Sequence, residues 1–183
     1  MNPREVIGEW NEGYTLDTHT IRSVLVGEDE FGRKIFDSNR SELGELLYQM
    51  KYNGHFDNTE KIIELCSAFT DDWISSKYIN MIIPVPSSSP TIYALAEGFS
   101  NRYDIPFAPD VLKKETKEKA KNMERSDRHI DISMIRAASC KYTILLLDDL
   151  FSTGTTANAC VRALRIDSNI KNIYFLALTR TRT

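Results

Sequence analysis

Residues 142–156 read Tyr-Thr-Ile-Leu-Leu-Leu-Asp-Asp-Leu-Phe-Ser-Thr-Gly-Thr-Thr, an apolar run followed by two carboxylates and a loop of hydroxyls around one glycine. Positions 143–147 are β-branched or leucine, which is typical of a parallel strand buried on both faces. The pattern of residues 157–165 predicts a helix. The loop therefore joins the carboxyl end of a strand to the amino end of a helix, where free amide groups and the helix dipole favour a phosphate.

The side chains around this loop are suited to a sugar phosphate. Gly154 allows the backbone to approach a ligand closely. The adjacent carboxylates of Asp148 and Asp149 are acceptors that suit the vicinal hydroxyls of a sugar. A simple helix cap would need one hydroxyl and would not explain two neighbouring carboxylates that repel each other. Hydroxyl donors for the phosphate come from Ser152, Thr153, Thr155 and Thr156.

Composition limits the classes of protein to consider. With 183 residues, 42% hydrophobic and 27% charged, the chain is expected to form one soluble globular domain. A net charge of −3 argues against a nucleic-acid partner, and no apolar run reaches membrane-spanning length. The amino terminus lacks a signal-peptide pattern. Cys66, Cys140 and Cys160 show no metal-binding spacing, so we expect reduced, buried thiols in a cytoplasmic protein.

Strands and helices are predicted to alternate along the rest of the chain. This alternation indicates a doubly wound, mainly parallel α/β sheet, in which ligands bind at the carboxyl ends of the strands. Residues 87–90, Ser-Ser-Ser-Pro, form a second small-residue loop at that edge. The glycines and aromatics of residues 1–38 predict a small β-rich extension. The predicted elements are strands at 19–26, 78–85 and 172–178, helices at 40–52 (Ser41 as N-cap), 59–74 and 91–103, and an extended segment at 105–112.

Residues 146–156 resemble the phosphoribosyl-pyrophosphate (PRPP) motif of type I phosphoribosyltransferases. Three further stretches resemble the ComF-like branch of that group: 47–52 with its Lys-Tyr ending, Ile-Pro-Val-Pro at 83–86, and Phe-Ser-Thr-Gly at 151–154. The similarity extends over roughly residues 43–180. It implies a single domain over 1–183, with a PRPP-binding core at 39–183 and a mobile lid at 113–128.

The resemblance also implies roles for individual residues. Asp148 and Asp149 would be the catalytic residues, binding the ribose hydroxyls directly or through Mg²⁺, and would therefore also be metal ligands. Residues 152–156 would hold the 5-phosphate, and Ser87 and Ser88 would line the pyrophosphate loop. The lid would bring cations to the pyrophosphate from Lys113, Lys114 and Lys117.

The implied reaction is Mg²⁺-dependent displacement of pyrophosphate from PRPP by a nitrogen nucleophile. The chain lacks the zinc module with which ComF-like proteins often begin, so the base or amine acceptor is not implied. Ser152 stands where hypoxanthine-guanine relatives have an aspartate, which argues against purine salvage of their kind. Residues 113–128 also contain four acids, so a solvated, salt-bridged helix is an alternative to a lid. The role of Lys51 is likewise open, since a lysine is favourable in the last turn of any helix.

Other functions remain open on the same fold. One is a regulator that senses PRPP or a nucleotide without turnover, and another is a ComF-like partner in DNA uptake or repair. A P-loop nucleotidase is disfavoured because the chain has no Gly-x-x-x-x-Gly-Lys-Ser/Thr. We assign His19 no catalytic role. The expected partners are PRPP and a nitrogenous acceptor, without a membrane, and a homodimer stays an open alternative.

Overall fold

The computed structural model describes residues 1–114 and 131–182. Its helices are α1 (Glu42–Asn53), α2 (Asn58–Ser76), α3 (Thr91–Tyr103) and α4 (Thr155–Leu164). Its strands are β1 (Arg4–Glu5), β2 (Glu12–Thr18), β3 (Thr20–Glu28), β4 (Lys34–Arg40), β5 (Met81–Pro84), β6 (Leu112–Lys114), β7 (Ile132–Met134), β8 (Tyr142–Phe151) and β9 (Ile170–Arg180).

A five-stranded sheet in the order β1-β2-β9-β8-β5 forms the centre of the described structure. Strands β2, β9, β8 and β5 are mutually parallel, and only β1 is antiparallel to its neighbour. Helices α1, α2 and α3 cover one face, while α4 and the two-stranded sheet of β6 and β7 cover the other. The predicted α/β fold with a mainly parallel sheet is therefore confirmed.

Strand β8 contributes side chains to both hydrophobic cores, because successive side chains of a strand point to opposite faces of the sheet. Leu145 and Leu147 belong to the core beneath α1, α2 and α3. Ile144 and Leu146 belong to the core beneath α4, and all four side chains are fully buried. The continuous apolar run identified in the sequence thus has the burial expected of a central parallel strand.

The amino-terminal residues divide between the central sheet and a separate hairpin. Strand β2, which the sequence pattern did not single out, pairs with β9. Trp10 is buried and stacks on Phe175 with ring centroids 4.4 Å apart, so it serves in core packing. The strand predicted at 19–26 exists as β3, but it pairs with β4 in a two-stranded sheet of its own.

Three details differ from the predictions. Strand β8 continues to Phe151, because β9 keeps pairing with it as far as Arg180; Asp148 and Asp149 therefore lie within the strand rather than after it. The strand expected from residue 78 begins at residue 81. Cys140 is exposed, so its predicted burial is wrong: it lies in the connection between β7 and β8, outside either core.

Several helix predictions are confirmed. Helix α3 has the bounds expected for it, and Ser41 caps α1 by accepting a 3.0 Å hydrogen bond from the amide of Gly44. The inner face of α4 buries Val161 and Leu164. Among the described residues, no helix has both the length and the apolar character needed to cross a membrane.

Candidate active site

The carboxyl ends of β5 and β8 lie side by side at one edge of the sheet. Pro84 is opposite Leu147, and the amide of Val85 donates a 2.8 Å hydrogen bond to the carbonyl of Leu147. Because the two strands are parallel, the loops that follow them leave the sheet at the same edge. The serine loop at 87–90 and the threonine loop at 152–154 therefore border the same region.

A cleft of about 630 Å³ opens at this edge, bordered by the serine loop, β6, the end of β8 and the first turn of α4. Tyr93 and Leu150, which were not among the predicted site residues, also line it. Asp149 and residues 152–155 lie beside the cleft and not in its lining. Lys117 falls within residues 115–130, outside the described part of the chain, as does most of the predicted lid. The predicted site residues that do line the cleft are Ser87, Ser88, Lys113, Lys114, Asp148 and Thr156.

The serine loop is held by hydrogen bonds within itself and to α3. The hydroxyl of Tyr93 donates to the carbonyl of Ser87 at 3.2 Å, and the amide of Ser89 donates to the Ser87 hydroxyl at 3.1 Å. Ser87 and Ser88 are both exposed to solvent. Tyr93 thus fixes the loop while leaving its hydroxyls accessible from the cleft. The sequence signal for Tyr93 was only its place in the first turn of the helix after the loop.

The threonine loop turns sharply into α4. Gly154 has φ +76°, in the left-handed region that favours glycine, and a Cβ there would lie 3.1 Å from the ring of Phe151. The hydroxyls of Thr153 and Thr155 are 2.9 Å apart. The N-cap residue Gly154 has no side chain to cap the first turn of α4, and the Thr153 hydroxyl accepts only a long hydrogen bond of 3.5 Å from the amide of Thr155. The loop therefore combines accessible hydroxyls with the amino end of a helix, the arrangement that binds phosphate in many proteins.

The two adjacent acids stay close to each other, and the amide of Asp149 donates a 2.9 Å hydrogen bond to the carboxylate of Asp148. They alternate along β8, so Asp148 faces the cleft on the α4 side, whereas Asp149 faces the side covered by α1. There the carboxylate of Asp149 accepts a 3.2 Å salt-bridge hydrogen bond from Lys51 Nζ. The structure therefore brings only one of the two carboxylates into the cleft lining. This difference in surroundings follows from the extra length of β8, which the sequence did not indicate.

The surroundings of Asp148 disfavour its ionised form. Burial raises the pKa of the Asp148 carboxyl above its usual range, and the negative charge of Asp149 raises it further. Carboxyls with a perturbed pKa are common at functional sites, because such residues are placed for ligand binding or catalysis and not for stability. The neighbouring thiol of Cys160 is also affected: burial raises its pKa to about 12.

The backbone of Asp149 is held by β9 and, indirectly, by the end of β2. Thr179 donates a 2.9 Å hydrogen bond from its hydroxyl to the carbonyl of Asp149. His19 Nδ1 lies 3.2 Å from the same hydroxyl. Burial lowers the pKa of His19, and the positive charge of Arg40 lowers it further. Thr179 was not predicted as a site residue, because a threonine in a strand carries no distinctive signal.

The described residues offer oxygen ligands for a metal but no complete protein cage. Among residues 1–114 and 131–182, no group of three histidine, cysteine or acidic side chains is arranged to hold a metal ion. The cleft does contain the carboxylate of Asp148 and the hydroxyls of Ser87 and Ser88. Mg²⁺ is usually bound by one or two carboxylates together with substrate phosphates, so this donor set fits the ion.

Comparison with protein-family models and with curated proteins gives no match. Solved structures do resemble the chain. A hypothetical protein from Neisseria gonorrhoeae with bound ppGpp has a TM-score of 0.50 and 9% identity, with 69% of each chain covered. An adenine phosphoribosyltransferase has a TM-score of 0.49 and 14% identity, with 85% of each chain covered. The Giardia lamblia enzyme of the same name, complexed with 9-deazaadenine, has a TM-score of 0.48 and 19% identity, with 87% of this chain and 80% of that chain covered.

At these identities the likeness concerns the fold alone. The chain shares with the Neisseria gonorrhoeae protein an α/β fold, and its mainly parallel sheet carries extra strands at the amino terminus. The solved structures include proteins named as phosphoribosyltransferases, the group that the sequence motifs resemble. The ComF-like branch stays a prediction.

Proposed function

We propose that this protein is a phosphoribosyltransferase that binds PRPP in the cleft at the carboxyl edge of the sheet. The observation that carries the proposal is the convergence, around one cleft, of an acid from the predicted ribose motif with the serine loop and the start of α4. These parts come from segments about 60 residues apart in sequence. Each is of the chemical type that one portion of PRPP requires.

The 5-phosphate would lie at the amino end of α4. Residues 152–156 offer backbone amides, hydroxyls and the positive end of the helix dipole, all of which stabilise a phosphate dianion. Thr156 reaches the cleft lining itself. A residue with a side chain at position 154 would be strained and would crowd Phe151, so the close approach of the loop to a phosphate depends on glycine.

The ribose and the pyrophosphate would occupy the middle of the cleft. The carboxylate of Asp148 would accept hydrogen bonds from ribose hydroxyls or hold Mg²⁺, with Ser87 and Ser88 directed at the pyrophosphate. Mg²⁺ bound with PRPP would neutralise the charge of the leaving pyrophosphate. Lys113 and Lys114 also line the cleft and would add positive charge to the same group.

The protein contributes mainly positioning and electrostatics to such a reaction. A nitrogen nucleophile forms a bond to C1 of the ribose, and the bond from C1 to the pyrophosphate oxygen breaks as positive charge develops at that carbon. The pyrophosphate leaves with the bonding electron pair. Holding both reactants in line and excluding water therefore accounts for most of the rate enhancement expected.

A turnover assay tests the proposal. The protein is incubated with PRPP, Mg²⁺ and panels of purine bases, pyrimidine bases, ammonia and primary amines, and pyrophosphate release is followed. We expect release with at least one acceptor and none from Asp148→Asn. Wild-type protein that neither binds PRPP nor releases pyrophosphate contradicts the proposal.

A second candidate is a PRPP or nucleotide sensor without turnover. The observation that favours it is that Asp149 is engaged by Lys51, which leaves one carboxylate of the pair in the cleft. One protein of similar fold is described with bound ppGpp, a nucleotide ligand. In the same assay, tight PRPP binding with no pyrophosphate release from any acceptor would identify the sensor.

A further inference from the structure

The side chain of Lys51 connects the last turn of α1 to the acidic pair. Its ammonium is 3.2 Å from Asp149 Oδ2, although the two residues are 98 positions apart in sequence. The side chain of Lys51 is 34% exposed and that of Asp149 is 15% exposed, so the contact lies at the solvent-accessible rim of the protein. A lysine in a last helical turn is favourable in any helix, but that preference does not explain contact with this particular acid.

The position of Lys51 is determined by the packing of α1. Leu47 and Met50 on its inner face are buried. Gly54 ends the helix in the left-handed conformation, and its amide donates a hydrogen bond to the carbonyl of Gln49. The last turn is therefore fixed relative to the sheet. An ammonium presented from such a turn reaches a defined place, which is the edge of β8.

The backbone of Asp149 is fixed separately. Thr179 donates to its carbonyl at 2.9 Å, and β8 is paired with β9 on both sides of it, at Asp148 and at Leu150. The rotation of the Asp149 side chain is the remaining freedom, and the bond to Lys51 restricts it. Two adjacent carboxylates repel each other, and a cation on one of them reduces that repulsion.

We propose that Lys51 is a positioning residue of the phosphoribosyl site: it orients the carboxylate of Asp149 and supplies the cation that lets two adjacent acids share one strand edge. The inference rests on the proposed function. Its consequence is that loss of the Lys51 charge weakens PRPP binding while the fold is kept. Exposed ion pairs contribute little to stability, so the effect should appear in the ligand affinity and not in unfolding.

The experiment compares Lys51→Met, which keeps most of the apolar stem, with Lys51→Arg, which keeps the charge. Lys77→Met is the matched control, because Lys77 makes a similar salt bridge of 2.6 Å to Glu12 and does not line the cleft. We expect Lys51→Met to weaken PRPP binding roughly tenfold, the size of effect that a charge-assisted hydrogen bond has. Lys51→Arg should restore affinity to within roughly threefold of wild type. Lys77→Met should leave it unchanged.

Steady-state measurements separate positioning from a general structural role. If turnover is observed, Lys51→Met should raise KM for PRPP more than it lowers kcat, and the midpoint of thermal unfolding should stay near that of wild type. Wild-type protein that fails to bind PRPP overturns the proposed function and this inference with it. Wild-type protein that binds PRPP, with Lys51→Met binding equally well, overturns the inference alone. Failure of Lys51→Arg to restore affinity would also overturn it, because the charge would then not be what matters.

Discussion

The carboxyl of Asp148 lies in the cleft, where burial and the charge of Asp149 make its ionised form unfavourable. Its pKa in the folded protein is therefore higher than in the unfolded chain, where it is about 4. The folded state binds the proton more tightly, so the stability that the protonated carboxyl provides is complete below about pH 4 and is lost as pH rises through the folded pKa.

From this we expect Asp148→Asn to stabilise the protein more at pH 8 than at pH 5. Asparagine has no charge to bury, so the free energy of unfolding at pH 8 should rise by at least about 1 kcal/mol relative to wild type. Urea unfolding at both pH values, with a chelator present, measures the difference. Asp37→Asn, at an exposed position of β4, is the control and should change stability by less than about 0.5 kcal/mol. An equal effect of Asp148→Asn at both pH values would contradict the unfavourable burial of its charge.

Individual residues also define how far the sequence could predict the site. The two small-residue loops and the acid pair were identified from their residue types and their place after apolar runs. The different surroundings of Asp148 and Asp149 were not, because strand β8 is prolonged by pairing with β9, and polar residues such as these carry no local signal for continued pairing. The contact of Lys51 with Asp149 depends on how α1 packs, which no local pattern encodes.

At the scale of elements, the placement of α1 is determined by a close approach to the end of β2. A Cβ added to Gly44 would lie 2.1 Å from the carbonyl oxygen of His19. Alanine is the better helix former by about 1 kcal/mol, so in an isolated helix the change would be favourable. Here the contact is with backbone, which cannot rotate away.

We therefore expect Gly44→Ala to lower the free energy of unfolding by roughly 1–3 kcal/mol, the range typical of overpacking. Urea unfolding measures it. Gly27→Ala in the exposed strand β3 is the matched control, since a Cβ there would meet nothing within 4 Å, and it should have an effect below about 0.5 kcal/mol. If Gly44→Ala were as stable as wild type, α1 would not be pressed against the end of β2 in solution.

Elements whose apolar residues recur at regular spacing were predicted well. Elements that depend on partners far away in the sequence were not. The helices α1, α2 and α3 follow from apolar spacing and, for α1, from the cap at Ser41. Strand β2 was missed because Glu12–Thr18 mixes glycine, threonine and acids, and its parallel partner β9 lies at the other end of the chain. The β3–β4 hairpin was expected as strand, yet its apolar side chains are exposed, which hydrophobic alternation alone would not predict.

At the scale of the whole molecule, the parallel sheet explains why the site lies where it does. Strands that run in one direction collect their following loops at one edge, so segments distant in sequence meet there. The serine loop after β5 and the start of α4 after β8 border the same cleft for this reason, and the lysines at the end of β6 complete it. This convergence could be predicted from the sequence, because it depends more on the common direction of the strands than on their order in the sheet.

The most direct test of the central claim is calorimetric titration of PRPP, with Mg²⁺ present, into wild-type protein and into Asp148→Asn. The account predicts saturable binding to the wild type and a loss of at least roughly tenfold in affinity for the variant, since a hydrogen-bonding carboxylate in the cleft would be gone. No binding to the wild type, or equal affinity of the two proteins, would contradict the claim that this cleft holds a phosphorylated ribose.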